Sequence, residues 1–334
     1  MTLGRDYGVG VIGVGKYLPD NILTNADLEA STGMPAAEIE EKTGIRERRL
    51  AGDDERASEM SATAARAALA MAGIGADDLG LIITCTFTGD YIYPAVSCRI
   101  QDILEARNAG AFDLMANCTG FQVGLGVASD RMLVDPTVGP ILVIGTALQS
   151  RFINRQDAAS SIYFGDGVGA AVLGRVDPGY GIIANDVTAN GRAFEAVRLR
   201  GGGSSFPMRP ENLGQVLQFY EIQGLEVWKQ VVQNQPVSMR RALAKVDKTI
   251  DDVDFFIFHQ ANLRLIEFLM GKMRQPMVKT VINVDVYGNT ADASQAIALC
   301  DAVTQGRLKK GDLVVVSGVG AGFVFGTTVM RWAG

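Results

Sequence analysis

The segment Asp251-Asp252-Val253-Asp254-Phe255-Phe256-Ile257 can be laid over Asp77-Asp78-Leu79-Gly80-Leu81-Ile82-Ile83, a turn with paired aspartates that feeds a buried-strand run in each case. The match continues downstream. Cys118-Thr119, a helical stretch and the strand Ile141-Leu142-Val143-Ile144 overlie Asn289-Thr290, a second helical stretch and Leu313-Val314-Val315-Val316. The offset stays near 172 residues throughout. Chance rarely holds register over such a distance, so the pattern reads as an internal duplication. Two similar halves are expected, 1–175 and 176–334, with no low-complexity linker between them.

Within each half, short β-branched runs alternate with longer Ala-rich segments of helical period, the signature of a layered α/β protein. Ser58–Met71 reads as a helix, Leu79–Thr86 and Phe112–Ala116 as strands, Thr119–Leu133 as a helix and Ile141–Gly145 as a strand. The run Gly201-Gly202-Gly203-Ser204-Ser205 reads as a surface loop. Eighteen residues without a charge, Leu313–Met330, have the length of a membrane span. Four glycines (Gly318, Gly320, Gly322, Gly326) instead divide them into two buried strands joined by a glycine loop. Gly8-Val9-Gly10-Val11-Ile12-Gly13 has the spacing of a nucleotide-binding loop, but no strand precedes it and Lys16-Tyr17-Leu18-Pro19 follows in place of a helix.

With 48% hydrophobic and 20% charged residues in 334, the chain can bury two core-forming units. Its net charge of −6 provides no global positive field for nucleic acid or an anionic membrane. An acidic partner would need a local basic patch. Cys85, Cys98, Cys118 and Cys300 form no C-x-x-C pair, and His259 is the only histidine, so neither a disulfide framework nor a His/Cys zinc site is expected. The N-terminus carries Arg5 and Asp6, reaches a turn by Pro19 and has no signal-peptide core, and a reducing cytoplasm fits the scattered thiols.

The duplication places Cys118 and Asn289 at equivalent strand-to-helix turns, and His259 at the end of a second-half strand whose first-half counterpart ends at Cys85. Equivalent turns of a pseudo-twofold pair meet near the middle of a molecule, so the three side chains should converge. A cysteine at a helix N-terminus feels the positive end of the helix dipole, which favours the nucleophilic thiolate. Cys85, Cys98 and Cys300 read as ordinary core thiols. Singly, none of the three is decisive: a lone His259 suits a hydrogen-bonded core position, and Asn289, which reads as ending a strand, is equally suited to cap a helix.

In order and spacing, the Cys118 segment Ala116-Asn117-Cys118-Thr119-Gly120-Phe121, His259-Gln260-Ala261-Asn262-Leu263-Arg264 and Gly288-Asn289-Thr290 resemble the motifs of β-ketoacyl-ACP synthase III, in the thiolase-like superfamily. Phe164-Gly165-Asp166-Gly167-Val168-Gly169-Ala170-Ala171 and Lys42-Thr43-Gly44-Ile45-Arg46 match further signatures, and the resemblance covers essentially the whole chain. It implies an α/β, five-layered αβαβα fold of two duplicated halves, a homodimer, and a Cys118-His259-Asn289 active site. The implied chemistry is acyl transfer from acyl-CoA or acyl-ACP to Cys118, followed by decarboxylative condensation with malonyl-ACP, without a permanently bound cofactor or a metal. The backbone N–H groups of Cys118 and Ala321 would hold the oxyanion. By the same resemblance, Arg46 and Arg151 would contact CoA or phosphopantetheine, and Lys229, Arg264 and Lys272 the acidic carrier protein. Phe87, Tyr93 and Phe164 would shape the acyl pocket, Tyr93 by reaching across the dimer.

Three positions depart from the pattern. Glu38 stands where many members stack adenine on a tryptophan, Tyr287 where His is common, and Ala158 where a basic residue usually follows Asp157. Loss of the stack, with a negative charge near the nucleotide phosphates, points toward an ACP-borne donor and a specialised, secondary-metabolite member. The rival reading is a relative that acylates an alcohol or amine with the same Cys and His. Asn289 speaks against it, because decarboxylation needs a second donor and simple transfer does not. A thiolase would carry another cysteine in Ser317–Gly322, where this chain has none, and an intact triad disfavours a non-catalytic partner subunit.

Overall fold

The computed structural model describes residues 6–213, 215 and 217–334. The paired-aspartate turns are one device used twice. Ala76–Asp78 and Ile250–Asp252 each form a single 3-10 turn, closed by Asp78 accepting from the Gly75 N–H and Asp252 accepting from the Thr249 N–H, both at 2.8 Å. Each turn releases the chain into a parallel strand.

The first sheet contains β1 (Gly8–Tyr17), β2 (Leu81–Cys85), β3 (Gly110–Leu114), β4 (Ile141–Leu148) and β5 (Asp166–Val176), in the order β1-β5-β4-β2-β3. The second contains β6 (Gly181–Ala189), β7 (Phe255–Phe258), β8 (Leu313–Gly320) and β9 (Val324–Arg331), in the order β7-β8-β9-β6. Read from β6, the second sheet repeats the first read from β1. An antiparallel outer pair is followed by an antiparallel pair and then a parallel one, and β3 is an additional edge in the first half. The uncharged run Leu313–Met330 is the antiparallel pair β8 and β9, so its apolar residues face protein rather than lipid. Val314, Val315 and Val316 have no exposed surface; each such burial is worth about 1.5–3 kcal/mol. No helix among the described residues is long and apolar enough to cross a membrane.

Helices α1 (Ala57–Ala72), α2 (Gly120–Val134), α3 (Gly224–Ala244), α4 (Leu263–Lys272) and α5 (Ser294–Thr304) complete the layers. Both α2 and α5 touch strands of both sheets and form the middle layer, while α1 covers the first sheet and α3 the second. The central position explains why nine residues of α5, including Gln295 and Asp301, are buried. Gly8–Gly13 belongs to β1. A Cβ on Gly13 would lie 2.3 Å from the Ala68 carbonyl oxygen, so Gly13 lets α1 approach the sheet, whereas Gly8 and Gly10 face Tyr180 and Gly181.

Two strand readings need correction. The strand expected at Phe112–Ala116 runs from Gly110 to Leu114, because Met115 and Ala116 already swing toward the Cys118 turn. The residues before Asn289 are a short helix, Val284–Tyr287, ended by Gly288 at φ 70°, rather than a strand. Residues 201–205 are irregular, as expected, though Gly201, Gly202 and Gly203 also line the central cavity. The N-terminal reading that used Arg5 falls partly on residues 1–5, outside the described residues.

Candidate active site

Cys118 occupies a single 3-10 turn, Asn117–Thr119, that runs directly into α2. Asn117 takes a left-handed conformation, φ 51°, and its amide donates to the Ala321 carbonyl at 3.0 Å. This bond ties the nucleophile turn to the glycine loop between β8 and β9. Behind the turn, Gln295 Nε2 on α5 donates to the Cys118 carbonyl and to Gln122 Oε1, both at 2.8 Å. Gln122 Nε2 on α2 in turn donates to the Gly326 carbonyl at 2.9 Å. A buried amide relay thus fixes the Cys118 backbone from both halves.

His259 directly follows β7, and its backbone N–H donates to the Ser317 carbonyl at 3.0 Å, which prolongs the pairing with β8. The residues after it are structural. Gln260 accepts from the Asn283 and Val284 N–H groups, and Asn262 caps α4 by accepting from the Arg264 N–H at 2.7 Å. His259 Nδ1 is sealed in protein with no partner among the described residues, so the tautomer with the proton on Nε2, the nitrogen turned to the cavity, is favoured. Burial holds the imidazole at a pKa of about 3, so it is neutral near pH 7.

Asn289 joins the halves through an isolated bridge to Phe164. Its N–H donates to the Tyr163 carbonyl at 2.8 Å and its carbonyl accepts from the Gly165 N–H at 3.0 Å. Its Oδ1 accepts from the Ala291 N–H at 2.9 Å. That bond fixes the amide and leaves Nδ2 free of protein partners among the described residues, while the N-cap of the turn Ala291–Ala293 is Thr290 rather than Asn289.

Cys118, His259, Asn289, Ala321, Phe87 and Phe164 line one cavity of about 1370 Å³. A Cβ on Gly318 would lie 3.1 Å from His259 Cβ and 3.5 Å from the Cys118 carbonyl oxygen, which places Gly318 between the two. Burial raises the Cys118 thiol, the nearby Asp292 carboxyl adds to this, and the cysteine's own N–H opposes it. Asp292 is itself driven strongly upward by burial, which favours a neutral, protonated carboxyl. Burial thus favours the neutral thiol, while the position of Cys118 in the turn that opens α2 favours the thiolate.

The peripheral residues are dispersed. Arg46 pairs with Asp285 at 2.7 Å and Arg151 donates to the Gly52 carbonyl at 2.7 Å; neither lines the cavity. Tyr93 is 87% exposed and stands outside the cavity of its own chain. Lys229 on α3, and Arg264 and Lys272 on α4, flank the half-exposed pair Trp228 and Phe268, whose rings lie 5.4 Å apart. Lys272 Nζ donates to the Val232 carbonyl, and Arg264 pairs with Glu267 at 3.1 Å. Glu38 pairs with Lys42, so its charge is partly offset. Sequence reasoning missed the relay through Gln122 and Gln295 and the cavity residues Gln149, Tyr220 and Trp228. The polarity of Gln122, Gln149 and Gln295 is visible in the chain, but their burial depends on the tertiary fold.

Residues 112–191 match the family described as 3-oxoacyl-[acyl-carrier-protein] synthase III, and residues 243–332 match its C-terminal part. A β-ketoacyl-[acyl-carrier-protein] synthase III from Syntrophomonas wolfei is 40% identical over 324 residues, 97% of each chain. The chain belongs to the β-ketoacyl-ACP synthase III family. The 3-oxoacyl-[acyl-carrier-protein] synthase III of Aquifex aeolicus superposes on this synthase III family member with a TM-score of 0.89 at 34% identity, over 97% of this chain and 100% of that one. A priming β-ketosynthase of the R1128 polyketide pathway does so at 0.89 and 29%, over 99% and 98%. The fold is thus the thiolase-like fold of the synthase III family, built from two duplicated halves.

Proposed function

We propose that this chain is a decarboxylating condensing enzyme in which Cys118, His259 and Asn289 form the catalytic set. The observation that carries the reading is the convergence of all three, with Ala321, on one cavity containing a neutral histidine. Cys118 Sγ attacks an acyl thioester, forming a new C–S bond and expelling the carrier thiolate, which takes the thiol proton. Backbone N–H groups of Cys118 and Ala321 stabilise the oxyanion.

Malonyl-ACP then loses CO₂, and the C–C bonding pair passes into a thioester enolate. Nε2–H of His259 and Nδ2 of Asn289 donate to the enolate oxygen, a role that requires neutral donors. The enolate carbon attacks the acyl-enzyme carbonyl, the β-ketoacyl product leaves, and the expelled Cys118 thiolate takes a proton from water. The halves proposed at 1–175 and 176–334 divide the work, the first supplying the nucleophile and the second both side-chain donors.

The acidic carrier protein docks on Lys229, Arg264 and Lys272 around Trp228, while Arg46 and Arg151 contact the phosphates of CoA or phosphopantetheine. A homodimer forms over Tyr91, Ile92 and Tyr93, exposed at 75%, 89% and 87%, with Tyr93 entering the partner's acyl pocket; three consecutive exposed apolar and aromatic side chains suit an interface. The enzyme works in the cytoplasm on acyl-CoA or acyl-ACP, with no resident cofactor. The test is single-turnover kinetics on His259→Ala and Asn289→Ala: both should still acquire the acyl group on Cys118 and fail to yield a β-ketoacyl product. Equal loss of the two half-reactions in folded variants would contradict the assignment.

A further inference from the structure

One end of the cavity is an aromatic box. Tyr220 stacks on Phe164 with ring centroids 5.1 Å apart and meets Phe87 edge-on at 6.0 Å, and Phe152 lies 6.1 Å from Phe87. A box for a plain alkyl chain needs no polar group, yet this one contains Gln149, a cavity-lining residue with no exposed surface. The Tyr220 hydroxyl donates to Gln149 Oε1. Burial, with the Cys118 thiol nearby, keeps that hydroxyl protonated and hence a donor. Gln149 Nε2 is then left without an acceptor among the described residues; it has no surface open to the cavity, so a ligand oxygen meets it only when the amide turns toward the cavity about its side-chain torsions. Buried amide donors in native proteins are almost always paired, and leaving one unpaired is costly.

We infer that the acyl group this enzyme loads carries a hydrogen-bond-accepting oxygen, as a keto, hydroxyl or oxygenated aryl substituent, that reaches Gln149 Nε2. The inference rests on the Cys118 acyl-enzyme reading and deepens it by naming the donor class. A site built to pair a polar group discriminates against the analogue lacking it far more strongly than an apolar pocket discriminates by size.

The test is the rate of Cys118 acylation, followed by intact mass, with matched acyl-pantetheine thioesters. Each straight alkanoyl donor is compared with the oxo-alkanoyl donor of the same length, and benzoyl with hydroxybenzoyl; free of nucleotide, the probes bypass the Glu38 region. The oxygenated member of at least one pair should acylate roughly tenfold to a hundredfold faster, and Gln149→Leu should bring that pair to parity. Parity across all pairs in the wild type, which needs no variant to fold, would overturn the inference and leave the acyl-enzyme intact. An oxygen preference unchanged in Gln149→Leu would also overturn it. No Cys118 label from any donor would remove the acyl-enzyme reading and the inference together.

Discussion

Replacing Gly318 with alanine should damage catalysis more than stability. The new Cβ would lie 2.3 Å from Gln295 Nε2, 3.1 Å from His259 Cβ and 3.5 Å from the Cys118 carbonyl oxygen. Ordinary contact begins near 3.4 Å, so Gln295 must retreat by about 1 Å, and His259 by a few tenths. Gln295 has no exposed surface, and its Nε2 makes two bonds of 2.8 Å, to the Cys118 carbonyl and to Gln122. Breaking or stretching both costs about 1 kcal/mol each, so Gly318→Ala should lose about 2 kcal/mol and a few degrees of Tm. A displacement of about 1 Å at reacting groups is worth roughly 10²-fold in rate. The assay is pre-steady-state acylation and condensation alongside a thermal melt. Adding Gln295→Ala makes room for the methyl, so the double variant should depart from additivity. Condensation within about threefold of wild type in Gly318→Ala would refute the steric argument.

Three further predictions concern the buried titratable groups and the carrier surface. His259 is held near 3 in the folded protein against 6.5 ordinarily, so the unfolded chain binds a proton below pH 6.5 that the folded chain refuses. Stability is complete above 6.5 and falls toward pH 3, by about 2 kcal/mol on reaching pH 5. His259→Asn should remove that slope from denaturant midpoints, and an unchanged slope would contradict it. Asp292 is shifted the other way by burial, and neither of its oxygens has a partner among the described residues. Its cost is therefore absent below the ordinary 3.8 and grows as pH rises. Asp292→Asn should melt like wild type near pH 4 and higher than wild type at pH 8; equal melting at both would show the carboxyl to be stabilised. Lys229→Glu with Arg264→Glu should raise KM for malonyl-ACP about tenfold and flatten its salt dependence, leaving acylation by acyl-pantetheine unchanged. An equal loss with both substrates would place those residues elsewhere in the mechanism.

The fold was legible because its signals are local and repeated. The paired-aspartate turns, the Leu313–Val316 run and the offset between Cys118 and Asn289 each follow from neighbours in the chain, and the duplication turns two half-signals into one. Cys118, His259 and Asn289 stood out through the resemblance of their segments to synthase III motifs, whose other residues serve backbone needs: Gln260 and Asn262 satisfy N–H groups, and Gly288 adopts φ 70°. The strand expected before Asn289 was wrong because Val284–Tyr287 is too short for helical period to show. The Cys118 thiol was read from the helix dipole and the N–H groups of its turn, which are local in the chain, whereas its burial and the approach of Asp292 from the other half are not. Gln149, Tyr220, Gln122 and Gln295 carry polar chemistry whose meaning depends on long-range burial, and nothing in their neighbourhoods announces it.

The most direct measurement of the central claim is intact-protein mass spectrometry of wild type and Cys118→Ala with acyl-CoA and acyl-ACP donors, followed by malonyl-ACP. An acyl mass present only in wild type, which disappears as a β-ketoacyl-ACP product appears, is the result predicted. An acyl mass that persists or passes to an alcohol or amine with no new C–C bond would contradict condensation, and labelling that survives Cys118→Ala would contradict the nucleophile.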